Sequence, residues 1–194
     1  MKSNNILPYD GVCEDFGVVI PDSKALEWRD ALLKEVSWKN DEAIIFGKHI
    51  TTKRKVAWYA DKNFSYTYSK IKKTALLWTP TLKEIKLAVE KHCGSRFNSC
   101  LLNLYHNGSE GMAWHSDGEK ELKKYAPIAS LTLGETRRFC FKHKETKHKE
   151  CLELENGSLI VMRGETQEHW LHRLPPTKKP KELRINLTFR IMEE

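Results

Sequence analysis

Residues 184–192 read "RINLTFRIM", and the two faces of that stretch carry opposite chemistry. Strict alternation marks a β-strand, whose successive side chains point to opposite faces of a sheet. One face carries Ile185, Leu187, Phe189 and Ile191; the other carries Arg184, Asn186, Thr188 and Arg190. A half-buried strand with a wet face has this pattern. Here the polar face holds two arginines with no acidic partner, flanking two small hydrogen-bonding residues. Guanidinium groups form bidentate, charge-assisted bonds to carboxylates, so the row suits a dianion with a carboxylate at each end. A second row lies in "CLLNLYHN", residues 100–107, where Asn103 and Tyr105 share one parity and suit the same ligand.

"GMAWHSDGEKEL", residues 111–122, sets His115 and Asp117 two apart in a Gly-bounded loop. Most His-x-Asp pairs are ordinary polar turns. With one more imidazole the pair becomes a metal set, because two His nitrogens and a carboxylate suit six-coordinate iron(II) with one face left open. That face takes a chelating cosubstrate and dioxygen. The third ligand has two candidates in "QEHWLHRLP", His169 and His172, and the residues alone do not choose between them.

The chain has 194 residues and 40% hydrophobic content, which fits one globular domain. No apolar run approaches the roughly 20 residues needed to span a bilayer. The start, "MKSNNILPYDG", lacks the apolar stretch of a secretory signal. Five cysteines, an odd number without a C-x-x-C pair, argue against a disulfide framework or a cysteine zinc site and for a reducing compartment. The balance of 33 basic against 26 acidic residues, +7, is compatible with nucleic acid. Four basic clusters stand out: 53–55, 70–73, 142–144 and 178–181. They are expected at loops or strand ends, as phosphate contacts along one face.

Along the chain, residues 1–20 read as irregular or extended. "PDSKALEWRDALLKEV" predicts a helix capped by Asp22 or Ser23, with Leu26, Leu32, Leu33 and Val36 on one face. "TPTLKEIKLAVEKHCG" predicts a second, with Thr79 as N-cap, Pro80 in the first turn, Leu82, Ile85 and Val89 as the stripe and Gly94 at its end. Residues 43–70 hold short β-like pieces. From about residue 98 the chain is mostly strands: "NSCLLNLYH", "IASLTLG", "RRFCFKH", "KECLELEN", "GSLIVMR" and "LRINLTFRIM", with turns such as Asn156-Gly157. Helices first and strands later imply an α+β protein whose second half is a β-sandwich or barrel.

Taken in order, Asn103-x-Tyr105, His115-x-Asp117, His172 and Arg184-x-Asn186-x-Thr188-x-Arg190 resemble the AlkB family of iron(II)/2-oxoglutarate dioxygenases. The resemblance runs from about residue 43 to 192. It is closest to the double-stranded-DNA repair branch, of the type of the second human AlkB homologue, through "PIASLTLGETRRFCFKHK", "HWLHRLP" and "RINLTFR". It implies a double-stranded β-helix (jelly-roll) core with N-terminal helices and a nucleotide-recognition lid. The chain is then one dioxygenase domain, 1–194: N-terminal extension and helix over 1–42, DNA finger and lid over 43–75, catalytic core over 98–192. His115, Asp117 and His172 are the implied ligands of Fe(II), with His169 a nearby non-ligand. Arg184, helped by Tyr105, is expected on the distal carboxylate of 2-oxoglutarate and Arg190 near the chelating carboxylate. Asn103, Asn186 and Thr188 complete the hydrogen bonding. The implied reaction couples decarboxylation of 2-oxoglutarate by O2 to hydroxylation of an N-methyl group, which leaves as formaldehyde.

The same resemblance implies a flipped base as substrate, since chemistry cannot reach a base inside the stack. N1-methyladenine and N3-methylcytosine are cationic and suit an aromatic sandwich. Tyr66, Tyr68 and Ser69 of "FSYTYSK" match the lid pocket, and Ile45-Phe46-Gly47-Lys48 resembles a hydrophobic finger that fills the gap left by the base. Arg54 joins this substrate set. Gly118 departs from the branch, which often has a second Asp there; Glu119 remains as a partner for the exocyclic amine. The implied partner is DNA, duplex and single-stranded, engaged by a monomer away from membranes, nuclear in a eukaryote and cytoplasmic in a bacterium. The alternatives are an RNA demethylase on the same scaffold and a non-catalytic nucleic-acid-binding module.

Overall fold

The polar row at 184–190 is accommodated by burying the whole strand. The computed structural model describes residues 4–45, 48–68, 71–179 and 181–193, with side chains at all of these except 43–45, 48–50, 66–68 and 71–73. The first segment forms β1 (Asn4–Asn5), β2 (Val12–Val18) and α1 (Asp22–Glu35). Then come β3 (Lys39–Ile45), β4 (Lys48–Ala60), β5 (Ser65–Tyr68), β6 (Ile71–Thr74), β7 (Leu76–Leu77) and α2 (Pro80–Cys93). Next are β8 (Ser99–Tyr105), β9 (Met112–His115), β10 (Ile128–Gly134), β11 (Arg137–His143) and β12 (Lys149–Leu154). The chain continues with β13 (Ser158–Arg163), the one-turn α3 (Thr166–His169), β14 (Trp170–Leu174) and β15 (Arg184–Arg190).

A large sheet runs β1-β2-β13-β10-β15-β8-β4-β3, with β7 added in parallel to β4. A small sheet runs β12-β11-β14-β9, and β5 and β6 form a separate ribbon. Apart from β7, every pairing is antiparallel. This is the jelly-roll of the α+β expectation. Strands from all three segments anticipated in the sequence enter the large sheet. Its length at β4 differs from the short pieces read there: Lys48–Ala60 is one strand of 13 residues, because β8 gives it a partner over its second half.

Three layers result. On one side of the large sheet, Trp28 and Leu32 of α1 and Leu82, Ile85 and Val89 of α2 pack against Leu102, Leu131, Ile185, Leu187 and Phe189. On the other side, Ile128, Ile160 and Met162 meet Phe139, Phe141, Trp170 and Leu174 of the small sheet. Each fully buried side chain of this size contributes about 1.5–3 kcal/mol. The apolar face of β15 therefore anchors the helices, and its polar face looks into the space between the sheets.

Local expectations met different fates. In α2, Thr79 accepts from the Leu82 N–H at 3.2 Å, Pro80 opens the helix and Gly94 ends it at φ 65°. In α1 the cap expectation fails. Pro21 occupies the cap position with no side-chain hydrogen bond, and Asp22 Oδ1 is engaged by Asn156 Nδ2 at 2.8 Å. The basic cluster 53–55 does not lie at a loop or strand end but inside β4, with Arg54 buried. His115 ends a strand rather than sitting in a loop. The cysteine reading is also corrected: Cys140 and Cys151 form a disulfide, while Cys13, Cys93 and Cys100 are buried free thiols. Their pairing comes from register, Cys140 lying opposite Cys151 between β11 and β12, which an odd count and spacing cannot reveal.

Gly157 shows how tightly the turns are built. Its φ is +80°, and a Cβ there would lie 2.3 Å from the Ile20 carbonyl oxygen. Its own carbonyl accepts from Val19 N at 3.0 Å, and its N–H donates to Thr132 O at 2.8 Å. Gly157→Ala combines left-handed strain of about 1–2 kcal/mol with a backbone clash. We expect a melting temperature lowered by several degrees, measured by thermal unfolding, as β13 is levered from β2.

Candidate active site

Register brings the first two metal-ligand candidates together. His115 of β9 pairs with His172 of β14, and their ring centroids lie 4.2 Å apart. Asp117 follows two residues beyond β9, and its backbone N–H is held by Gln167 Oε1 at 2.8 Å. Both imidazole Nε2 atoms lie 3.9 Å from Asp117 Oδ1, so the three side chains offer donor atoms all within 4.8 Å of one another. His115 Nδ1–H donates to the Ala113 carbonyl at 2.8 Å, which leaves Nε2 as the lone-pair nitrogen facing Asp117. Phe139 lies against His172 at 5.6 Å and 28°, fixing the second ring.

The charges suit a cation. Burial works against the Asp117 carboxylate, but the Arg190 guanidinium, then His172 and His115, overcome it and hold the carboxyl below its usual range. Burial pushes His172 down to about 3. A charged carboxylate and a neutral imidazole are the forms that ligate metal. His169 stands apart: it is half-buried, groups with Asp10 and His143, and its Nε2 is 3.7 Å from Glu165.

The polar rows converge on the same space. Across β10, β15 and β8, Asn186 is flanked by Thr132 and Asn103, and Arg184 by Gly134 and Tyr105. Asn186 Nδ2 donates to Ser130 Oγ at 2.9 Å. Asn103 Oδ1 accepts from Arg54 Nη1 at 2.9 Å, and Arg54 Nη2 is bound to Asp41. Arg54 thus braces the polar row from β4. Arg190 gives Nε and Nη2 to Asp117 Oδ2 at 3.1 and 2.7 Å, so it orients the carboxylate whose other oxygen faces the imidazoles. Thr188 is buried on the same face. Asn103, Tyr105, His115, Asp117, His172, Asn186, Thr188 and Arg190 line one narrow cavity.

Arg184 is the decisive observation. It is fully buried and its centre lies 5.6 Å from the Tyr105 ring. Nη2 donates to Thr132 Oγ1 at 2.8 Å, but Nε and Nη1 are buried with no hydrogen-bond partner among the described residues. Burial pushes its pKa down to about 10. A buried guanidinium edge with idle donors fits a carboxylate, which accepts charge-assisted hydrogen bonds. The donor set and this edge together fit iron(II) with a dicarboxylate cosubstrate.

The comparisons agree. Residues 16–190 match the family model of the 2OG-Fe(II) oxygenase superfamily. DNA oxidative demethylase ALKBH2 of Bos taurus is 34% identical over 192 residues, covering 93% of this chain and 69% of that protein. The Homo sapiens ALKBH2 is 38% identical over 154 residues, 75% of this chain and 59% of that protein. Alpha-ketoglutarate-dependent dioxygenase alkB homolog 3 of Homo sapiens is 36% identical over 180 residues, with 87% and 62% covered. The chain belongs to the AlkB family. It spans between 59% and 69% of the length of these relatives. The solved structure of OsALKBH1 shares the fold, with a TM-score of 0.64 at 14% identity over 95% of this chain and 98% of that one. As a member, this AlkB protein is a dioxygenase using Fe(II), 2-oxoglutarate and O2; bound iron and cosubstrate supply oxidation of a C–H bond.

Several site residues were absent from the sequence reading. Gln167, Thr132, Ser130 and Phe139 each hold a member of the site. The parity of "IASLTLG" carried a signal for two of them, Ser130 and Thr132, since polar residues alternating inside an apolar strand need partners. Of the anticipated substrate set, Phe46, Gly47 and Ser69 lie outside the described residues. Ile45, Lys48, Tyr66 and Tyr68 are placed by backbone alone, Ile45 pairing with Lys48 and Tyr68 with Ile71. Gly118 is exposed, and a Cβ there would meet nothing within 4 Å, so its lack of a side chain is not imposed by space.

Two outcomes are expected of this AlkB site. His172→Ala should abolish iron(II) binding measured by calorimetry on the folded protein, while His169→Ala should leave it nearly intact; the reverse pattern would move the metal to the Asp10 group. Arg184→Ala should raise the 2-oxoglutarate concentration needed for half-saturation by an amount equivalent to roughly 2–5 kcal/mol. Arg184→Lys should recover only part, because an ammonium lacks the planar fork.

Proposed function

We propose that this protein is a DNA oxidative demethylase that removes N-methyl groups from N1-methyladenine and N3-methylcytosine, in duplex and single-stranded DNA, releasing formaldehyde. His115, Asp117 and His172 hold the iron, and Arg184 with Tyr105 holds the far carboxylate of 2-oxoglutarate. Arg190 keeps Asp117 oriented, and Asn103, Asn186 and Thr188 complete the polar wall. The relatives named DNA oxidative demethylase support a DNA substrate.

The observation that carries the lesion class is Glu119. Its Oε2 is buried with no hydrogen-bond partner among the described residues, and it borders a small pocket with Trp58, Leu101, Leu122 and Arg190. An orphaned carboxylate oxygen beside the cleft favours a ligand that is both a donor and a cation. An N1-methyladenine or N3-methylcytosine base offers an exocyclic amine and a positive charge; an intact base offers only the amine. Gly118 leaves Glu119 without the second carboxylate of the branch, although Glu121 lines the same pocket. Tyr66 and Tyr68 stack the base, aided by Ser69, and Ile45-Phe46-Gly47-Lys48 fills the vacated stack.

No described helix is long and apolar enough to cross a membrane. We place the protein inside the cell as a monomer, in the nucleus of a eukaryote or the cytoplasm of a bacterium. The test is turnover with iron and 2-oxoglutarate on matched oligonucleotides: duplex DNA, single-stranded DNA and RNA, each with one N3-methylcytosine. Formaldehyde release from DNA supports the proposal; release from RNA alone makes the protein an RNA demethylase, and release from none makes it a binding module.

If the finger fills the gap beside a flipped base, Phe46→Ala should slow repair in a duplex by an amount worth a few kcal/mol at most. The same base in a short single strand should react at the unaltered rate. Equal loss on both substrates, with a lower melting temperature, would assign Phe46 to the core and sink the finger.

A further inference from the structure

The outward face of the small sheet has no part in the cleft, yet it is chemically distinctive. Arg138, Cys140 and Lys142 of β11 lie opposite Glu153, Cys151 and Lys149 of β12, and Cys140 also lies opposite Arg173 of β14. Alternation turns these side chains away from Phe139 and Phe141, which pack inward beside His172. The Cys140–Cys151 disulfide opens on a cleft of about 680 Å³ lined by Arg138, Lys149, Arg173, Lys179 and Lys181, with Glu153 the only carboxylate among the described lining residues.

We propose that the Cys140–Cys151 disulfide is a thiol-exchange site that accepts an anionic low-molecular-weight thiol, one bearing carboxylates, in this basic cleft. Cys151 is exposed and Cys140 buried, which fixes the direction of attack. The incoming thiolate forms a bond to Cys151 Sγ; the protein S–S bond breaks, and its electron pair leaves on Cys140 as a thiolate. A second thiolate attacks the small-molecule sulfur of the mixed disulfide and releases Cys151 as a thiolate. Both cysteines then take a proton from water. Two small thiols are oxidised to their disulfide, and the protein disulfide is reduced to two thiols. Cations lower a thiol's pKa and speed its departure. Arg173 is placed for this beside Cys140: its guanidinium centre lies 4.5 Å from the Trp114 ring, and its Nε is buried with no hydrogen-bond partner among the described residues. Exposed disulfides are the reducible ones. β12 is the edge strand of its sheet, and the bond staples it to β11 midway along their shared register.

The test uses the full chain purified without reductant, and it does not depend on demethylase activity. Intact mass should show one disulfide, and peptide mapping should place it at Cys140 and Cys151. The protein is then treated with equal thiolate concentrations of glutathione, 2-mercaptoethanol and cysteamine: anionic, neutral and cationic. Glutathione should open the bond at least about tenfold faster than cysteamine, the scale of electrostatic steering, with a transient glutathione adduct on Cys151. Arg138→Glu with Lys149→Glu should bring the two rates together. Raising ionic strength should do the same in the unaltered chain, which covers a variant that fails to fold. Free thiols at both cysteines after air exposure, equal rates in the unaltered chain, or a preference surviving both the charge reversals and salt would each overturn the proposal.

Discussion

A strand that carries two guanidinium groups into a dry interior, β15, governs the rest of the molecule. Each ion removed from water carries a penalty of several kcal/mol unless it is paired and hydrogen-bonded. The two arginines meet that demand differently. Arg190 is matched by Asp117, itself buried, with two hydrogen bonds. Arg184 is matched only partly by Thr132 and by the face of Tyr105. The small sheet must cover the row to keep it dry, and the loop after β9 must return to deliver Asp117. Gln167 of α3 then pins that loop by the backbone N–H of Asp117. Sheet, loop and short helix are all consequences of burying one polar face.

Asp117 links this constraint to chemistry. One oxygen satisfies Arg190, and the other faces two imidazole nitrogens. The guanidinium therefore does two jobs: it neutralises the buried carboxylate and turns its free oxygen toward the metal. Without it, burial would favour the protonated acid, which binds a cation poorly. The β9–β14 register supplies the rest, because pairing His115 with His172 requires no loop to hold the rings together. Rigid strands position ligands more closely than loops do.

Much of this was legible in the residues, and the reasons are physical. Alternation in "RINLTFRIM" and "IASLTLG" named β15 and β10 almost to the residue, because a period of two survives without tertiary context. The capped α2 was legible for the same reason: Thr79, Pro80 and Gly94 act through bonds a few residues long. The α1 cap was not, since Asp22 is taken by Asn156 from 134 positions away. Distance also hid Gln167 and the inward turn of Arg54, whose partners lie 50 and 49 positions away, whereas the disulfide depends on the register of the β11–β12 hairpin. The burial of both faces of β15 was not legible in its pattern. Parity divides a strand into two faces but does not say which is solvated, and here neither is.

The idle donors of Arg184 show why the fold tolerates an imperfect interior. A strand built for stability alone would place an apolar residue of similar volume there, since replacing a buried ion by a packed hydrophobe is often neutral or favourable. The chain instead keeps two N–H groups without partners among the described residues, each left unmade at a cost of about 1–3 kcal/mol. That cost is recovered only when a carboxylate arrives, so ligand binding is coupled to relief of a defect already present. The same reasoning ranks the two arginines. Arg190 is satisfied from within and contributes to the resting structure, whereas Arg184 is satisfied from without and contributes to affinity. One strand thus divides its polar face between holding the protein together and holding its cosubstrate.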